Sequence, residues 1–116
     1  MNLIEVAIYA LVLSGPAPGL CRLGDDAVVR CSNGLSAEML SATQARFSNG
    51  VIARHRGDEF PVFSNGITSH LGSAGWLSFS NGVAVRRRPD GRYDFDDGVS
   101  CRAALPDLVN CTRAQP

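Results

Sequence analysis

From Val29 to Cys101 apolar and polar residues alternate along short runs, and the alternation is interrupted every sixteen residues by the same phrase. It reads Cys-Ser-Asn-Gly-Leu at 31–35, Phe-Ser-Asn-Gly from 47, 63 and 79, and Phe-Asp-Asp-Gly-Val at 95–99. Period-two alternation predicts strands with one buried face. Asn-Gly between such runs predicts a tight hairpin turn, because Asn tolerates the left-handed backbone and Gly carries no Cβ to oppose it. The turn residues are therefore Asn33-Gly34, Asn49-Gly50, Asn65-Gly66, Asn81-Gly82 and Asp97-Gly98.

The apolar positions select the loop length. With only Asn49 and Gly50 in the loop, Phe47 would face Ile52 and Val51 would fall on the polar side. With Ser48-Asn49-Gly50 as a three-residue loop ending in a glycine bulge, Phe47 meets Val51 and Ala45 meets Ala53. The second register gathers Val29, Cys31, Leu35, Ala37, Phe63, Ile67, Leu77, Phe79, Val83, Val85, Tyr93, Phe95, Val99 and Cys101 on one face. Serines, Thr68, Asp94 and Asp96 take the other, with Ile52 and Val62 as exceptions. Between these turns, Arg54–Glu59, His70–Gly75 and Arg86–Arg92 carry the glycines and the Pro-Asp-Gly of looser return turns.

Five copies of strand, tight turn, strand, return turn imply an all-β fold of about ten short strands. The sixteen-residue repeats are expected to form an antiparallel β-hairpin meander that curls into a roll or barrel to hide its Phe face. A β-solenoid with one coil per repeat and stacked Phe ladders is the alternative. The turn chemistry favours the meander.

Cys21 and Cys31 are ten positions apart, as are Cys101 and Cys111. The same offset relates Ala37 to Phe47, Ala53 to Phe63, Ser69 to Phe79 and Val85 to Phe95, residues that should face each other across a return turn. The cysteines take the place of such a pair, which predicts disulfides Cys21–Cys31 and Cys101–Cys111 at the two ends of the array. A four-cysteine zinc site would need the Cys-x-x-Cys knuckle, which is absent.

Residues 1–19 hold the apolar stretch Leu3–Leu13, interrupted by Glu5 and closed by Ser-Gly-Pro. Its length suits a signal peptide cleaved after Gly19, and it is too short to span a bilayer. The basic residues usual at a signal peptide's start are missing. The alternative is a buried helix that covers or plugs the sheet. Residues 20–116 form a single β-repeat domain. Paired cysteines point to an oxidising compartment, so the expected location is secreted, periplasmic or cell envelope.

Eleven basic and eleven acidic residues cancel, which disfavours nucleic-acid binding through bulk charge. The one dense basic cluster, Arg86, Arg87 and Arg88 with Arg92, is either a solvated strand end balanced by Asp90, Asp94, Asp96 and Asp97 or a docking patch for an anionic glycan, lipid headgroup or acidic partner. Arg56-Gly57-Asp58 resembles the integrin-binding tripeptide of adhesion proteins, a match of three residues in a turn that recruits Gly and Asp anyway. Asp94–Gly98 has the wrong spacing for a calcium loop. His55 and His70 fall in return segments and read as surface residues, and Asn110-Cys111-Thr112 fits a glycosylation sequon. The serines occupy turn positions by repetition with no distinctive His or carboxylate beside them, so no catalytic residue, metal or cofactor is expected.

Cys-Arg, Cys-Ser-Asn-Gly, the Phe-Ser-Asn-Gly units and the closing Cys-Arg with a second Cys, across residues 21–111, resemble short secreted bacterial proteins of Ser-Asn/Asp-Gly hairpin repeats. The resemblance implies export and repeat architecture without a mechanism. There is also a distant similarity to curli-type subunits, against which stand sparse Gln and Asn ladders and the cysteine caps. The longer, Tyr- and Gly-rich unit of the MORN repeat does not match. The expected function is a non-enzymatic envelope or extracellular module for binding or scaffolding, its partner an envelope component or glycan. The alternative is a fibre or adhesin subunit that assembles with itself.

Overall fold

The computed structural model of the protein describes residues 1–55 and 61–113. A helix, α1 (Leu3–Ser14), is followed by β1 (Gly19–Leu23), β2 (Val28–Cys31), β3 (Ser36–Met39), β4 (Gln44–Phe47), β5 (Ile52–Arg54) and β6 (Val62–Phe63). The second half comprises β7 (Ser69–Leu71), β8 (Leu77–Phe79), β9 (Ala84–Arg87), β10 (Tyr93–Phe95), β11 (Val99–Leu105) and β12 (Leu108–Arg113). All belong to one antiparallel sheet in the order β6-β5-β4-β3-β2-β1-β12-β11-β10-β9-β8-β7. The sheet curls into a nearly closed barrel. Parallel stacking of coils, as a solenoid requires, is replaced by antiparallel neighbours throughout these ladders.

The tight turns adopt the three-residue register. Gly50 N–H donates to Phe47 O at 2.9 Å and Phe47 N–H to Val51 O at 2.8 Å, while the side chain of Asn49 accepts from Val51 N–H at 3.1 Å. Each of these bonds has a counterpart in the loops after Cys31, Phe63 and Phe79. Gly50 sits at φ 88° and Gly98 at φ 97°, in the region that a side chain opposes. Across the return turns, Ala37 pairs with Phe47, Ala53 with Phe63, Ser69 with Phe79 and Val85 with Phe95. Cys21 and Cys31 stand in the same relation and are bridged, as are Cys101 and Cys111.

Two features depart from the expected array. The described residues form twelve strands rather than about ten, because β1 and β12 add to the strands of the five repeats. These two strands pair with each other, Cys21 opposite Val109, so the two ends of the array join instead of fraying, and the two disulfides lie on the contiguous strands β2-β1-β12-β11. The sheet opens in mid-sequence, between β6 and β7. The turn joining them forms, but the next hydrogen-bonded position on β6 falls at Pro61, which has no N–H to give. Ser69 bridges the opening by donating its hydroxyl to Pro61 O at 2.9 Å.

Inside the barrel lies α1. Its seven consecutive residues Val6 to Val12 are all buried, and a helix apolar on every side belongs in a core. Phe47, Phe63, Phe79, Phe95, Val29, Val85, Val99 and Val109 surround it from the sheet. Asn2 caps the helix in a reciprocal box, its side chain accepting from Glu5 N–H at 2.9 Å while Glu5 accepts from Asn2 N–H at 3.0 Å. At the other end Asn81 Nδ2 donates to Val12 O at 2.8 Å and Asn33 Nδ2 to Ser14 Oγ at 2.7 Å. Two residues of the tight turns thereby take up groups at the helix C-terminus.

Candidate functional site

With α1 inside the barrel, three grooves lie on its outer face. One of about 290 Å³ is lined by Gln44, Ile52, Arg54 and Val62, and a second of about 370 Å³ by Glu38, Arg46 and Ser48 among others. The third, about 410 Å³, is lined by Trp76, Arg92, Asp94, Asp96 and Ser100. Of the three, it alone combines an indole with side chains of both charges.

The pleat places this set. Arg86 on β9 is opposite Asp94 on β10, and Asp94 is opposite Ser100 on β11. Leu77 pairs with Val85, so Trp76, one step further, faces Arg86. Alternation puts Trp76, Arg86, Asp94 and Ser100 in one row across the outer face. The Arg86 guanidinium lies 4.7 Å from the indole centroid of Trp76, a cation–π contact. Its Nε is covered and has no hydrogen-bond partner among the described residues. The loop that carries Trp76 is closed by Gly72 N–H to Trp76 O at 2.7 Å and Trp76 N–H to Ser73 O at 3.2 Å. Within it Ala74 has φ 57°, a left-handed conformation that costs a residue with a Cβ about 1–2 kcal/mol.

Asp94 is the pivot of the groove. It accepts from Ser100 Oγ at 2.8 Å and lies 3.2 Å from Arg92 Nε and 3.7 Å from Arg88 Nε. The Arg92 contact is an ion pair without the alignment of a hydrogen bond. The basic cluster is thus divided. Arg88 and Arg92 are balanced by Asp94, Arg86 covers Trp76, and Arg87, opposite Tyr93, belongs to the other face of the sheet.

A second group gathers where the helix N-terminus meets the return turns. His55 was expected at the surface, yet its side chain is 13% exposed, with Nε2 at 3.0 Å from Glu5 Oε2 though not aligned as a hydrogen bond. Its ring meets Tyr9 edge-on, and Tyr9 in turn packs edge-on against Phe63. Burial, then the charge of Glu5, then Tyr93 push the Tyr9 phenol well above its ordinary range. Burial also raises Tyr93, against the opposing pull of Arg87. His70 is exposed. Asn2 and Glu5 carried a legible capping-box signature before an apolar run, and it explains the acidic residue that interrupts the stretch Leu3–Leu13.

The Arg56-Gly57-Asp58 tripeptide lies outside the described residues. Among the described residues no group of three metal-ligating side chains converges, and no helix is long and apolar enough to cross a membrane. Trp76 was not singled out by sequence, since a lone tryptophan in a return segment carries no periodic signal. Comparison with protein-family models, with curated proteins and with solved structures finds no match to this chain.

Proposed function

We propose that the protein is a non-enzymatic binding or scaffolding module of an oxidising compartment, secreted, periplasmic or in the cell envelope, which engages its partner through the outer face of the barrel. The observation that carries this reading is the filled lumen. With its interior occupied by seven buried helical residues, the barrel leaves recognition to the outer row of side chains and the turns. The two disulfides support the compartment. We further propose that the barrel arose by reiteration of the sixteen-residue hairpin unit. Supporting this, the hydroxyls of Ser32, Ser48, Ser64 and Ser80 accept from the backbone N–H of Leu20, Ser36, Ile52 and Thr68, each twelve residues earlier.

The same reading keeps α1 in the working protein. Cleavage after Gly19 would strip the core of Val6–Val12 and the ladder of its Gly19–Cys111 pair. N-terminal sequencing of the protein recovered from its native compartment tests this; a chain beginning at Leu20 would refute it. For the module itself, the oxidised protein is applied to immobilised envelope fractions. Retention that is lost on substituting outer-face residues of β9–β11, but not turn residues at the opposite side of the barrel, is the expected result.

One observation favours the self-assembling alternative. Val62 and Leu71, 48% and 56% exposed, sit on β6 and β7 beside the open seam, and open edges invite pairing. Sizing across a concentration series separates the two readings: a monomer at every concentration rejects the fibre, and growth abolished by Val62→Lys rejects the module.

A further inference from the structure

We propose that the groove at Trp76, Arg92, Asp94, Asp96 and Ser100 is a binding site for a neutral saccharide chain. The proposal rests on the outer-face reading above and names its ligand class.

Three observations carry it. First, the groove sets donors and acceptors side by side. Arginine only donates and an ionised carboxylate only accepts, so neighbouring Arg92 and Asp94, 3.2 Å apart, match vicinal sugar hydroxyls, each of which both donates and accepts. Ser100 and Asp96 extend the same pattern across the groove. Second, an indole adjoins these groups. The negative face of an aromatic ring attracts the positively polarised C–H bonds on the flat side of a pyranose, and Trp76 is held in place by Arg86 and by a loop containing a left-handed alanine. Strain of that kind persists where the surrounding structure imposes it, and it collects at ligand sites. Third, two of the neighbouring arginines are already balanced. Asp94 engages Arg88 and Arg92 and Asp96 adds a second carboxylate to the groove lining, so a neutral hydroxylated chain meets donors and acceptors together where a polyanion would have to displace a carboxylate from its arginines.

The row also has a direction. Arg86, Asp94 and Ser100 succeed one another across adjacent strands, and Ser100 is followed by Thr112 on β12. Strands lie about 4.8 Å apart, so an extended chain crossing the strands would meet a new polar side chain at each step.

The protein contains a single tryptophan, so fluorescence excited beyond the absorption of its two tyrosines reports on this site. The oxidised full chain is titrated with cellohexaose, chitohexaose and maltohexaose, with heparin as the polyanionic probe. Saturable change in Trp76 fluorescence with at least one neutral hexaose is expected, insensitive to salt. By calorimetry, Trp76→Ala and Arg92→Gln should each weaken binding roughly tenfold or more, the equivalent of about 1.4 kcal/mol, whereas Trp76→Phe should retain most of it. Arg46→Gln, on another groove, should leave it unchanged. Each variant is compared with the parent by near-ultraviolet circular dichroism, and the conservative Trp76→Phe keeps the comparison meaningful if Trp76→Ala disturbs the loop. No saturable response to any hexaose, binding indifferent to Trp76 and Arg92, or a response to heparin alone overturns the proposal. If envelope fractions still bind the outer face in those cases, the module reading survives; if they do not, both fail.

Discussion

The side-chain amide of Asn81 reaches from a hairpin turn into the barrel and donates to the carbonyl of Val12, sixty-nine residues earlier, at 2.8 Å. Its Oδ1 meanwhile accepts from Val83 N–H at 3.3 Å and closes the turn. One residue type serves local and tertiary structure at once. Asn81→Asp separates the roles, since the carboxylate keeps the turn acceptor but cannot donate to Val12 and places negative charge at a helix C-terminus. A loss of about 1–2 kcal/mol is expected. Asn49→Asp, where the turn bond is the one side-chain bond made among the described residues, should change stability by no more than about 0.5 kcal/mol. Urea unfolding followed by circular dichroism measures both, and equal effects would mean that the helix anchor contributes nothing.

Removal of the helix is the more severe case. A chain beginning at Gly19 would surround an empty lumen with Phe47, Phe63, Phe79 and Phe95 facing it. We expect no cooperative thermal transition and strong binding of a hydrophobic dye. Adding a synthetic peptide of residues 1–16 should restore a transition, because the missing contacts are apolar and the sheet's disulfides are independent of α1. A cooperative transition without the peptide would contradict the core role of α1.

Ala27 occupies φ 63° in the turn between β1 and β2. There Gly24 N–H donates to Val28 O, Ala27 N–H to Gly24 O, and Asp26 accepts from Val28 N–H. The arrangement matches the tight turns, with Asp26 where they have Asn and Ala27 where they have Gly. Ala27→Gly relieves the left-handed Cβ at some cost in unfolded-chain entropy, and should stabilise the protein by about 1 kcal/mol. Chemical denaturation at neutral pH is the readout; a destabilised variant would show that the turn imposes no strain.

Tyr9, with Tyr93 shifted in the same sense, and Asp26 make stability depend on pH at opposite extremes. Tyr9, raised by burial above the ordinary phenol value of about 10, stays neutral in the folded state while the unfolded phenol ionises. Its stabilising effect is complete below that ordinary value and declines as pH rises beyond it. Tyr9→Phe should therefore flatten the alkaline limb of the stability curve. Asp26 behaves in the reverse sense. Its hydrogen bond to Arg30, with help from Val28 N–H, holds the carboxyl down to about 2, so its effect is present above the ordinary carboxylate range and is lost as pH falls toward about 2. Asp26→Asn should flatten the acid limb, less markedly because the pair is exposed to solvent. Denaturant midpoints across pH in both variants check these slopes, and unchanged limbs would exclude the assigned groups.

The inward-facing residues, the three-residue loops and both cysteine pairs could be read from the chain, because period-two alternation and turn chemistry act over a few residues. His55 and Trp76 could not. His55 lies in a variable return segment, and its burial follows from Glu5 on a helix fifty residues earlier. Trp76 becomes part of a groove only through Arg86, Arg92 and Asp94, which the curvature and register of other strands bring beside it. The balancing of Arg88 and Arg92 by Asp94 was legible in the sequence, whereas the contact of Arg86 with Trp76 was not, since it depends on the register of β8 against β9.

Local rules in the amino-acid order are enough to specify antiparallel hairpins with one apolar face, their register and the cysteines that must bond. They leave open where the sheet joins itself and what its apolar face encloses. Those outcomes depend on contacts between distant segments: β1 meets β12, Pro61 withholds a donor and leaves the seam at β6 and β7, and the apolar segment Val6–Val12 packs against the inner face of the sheet. Closure buries the Phe face only when something fills the space it encloses, and α1 supplies that volume.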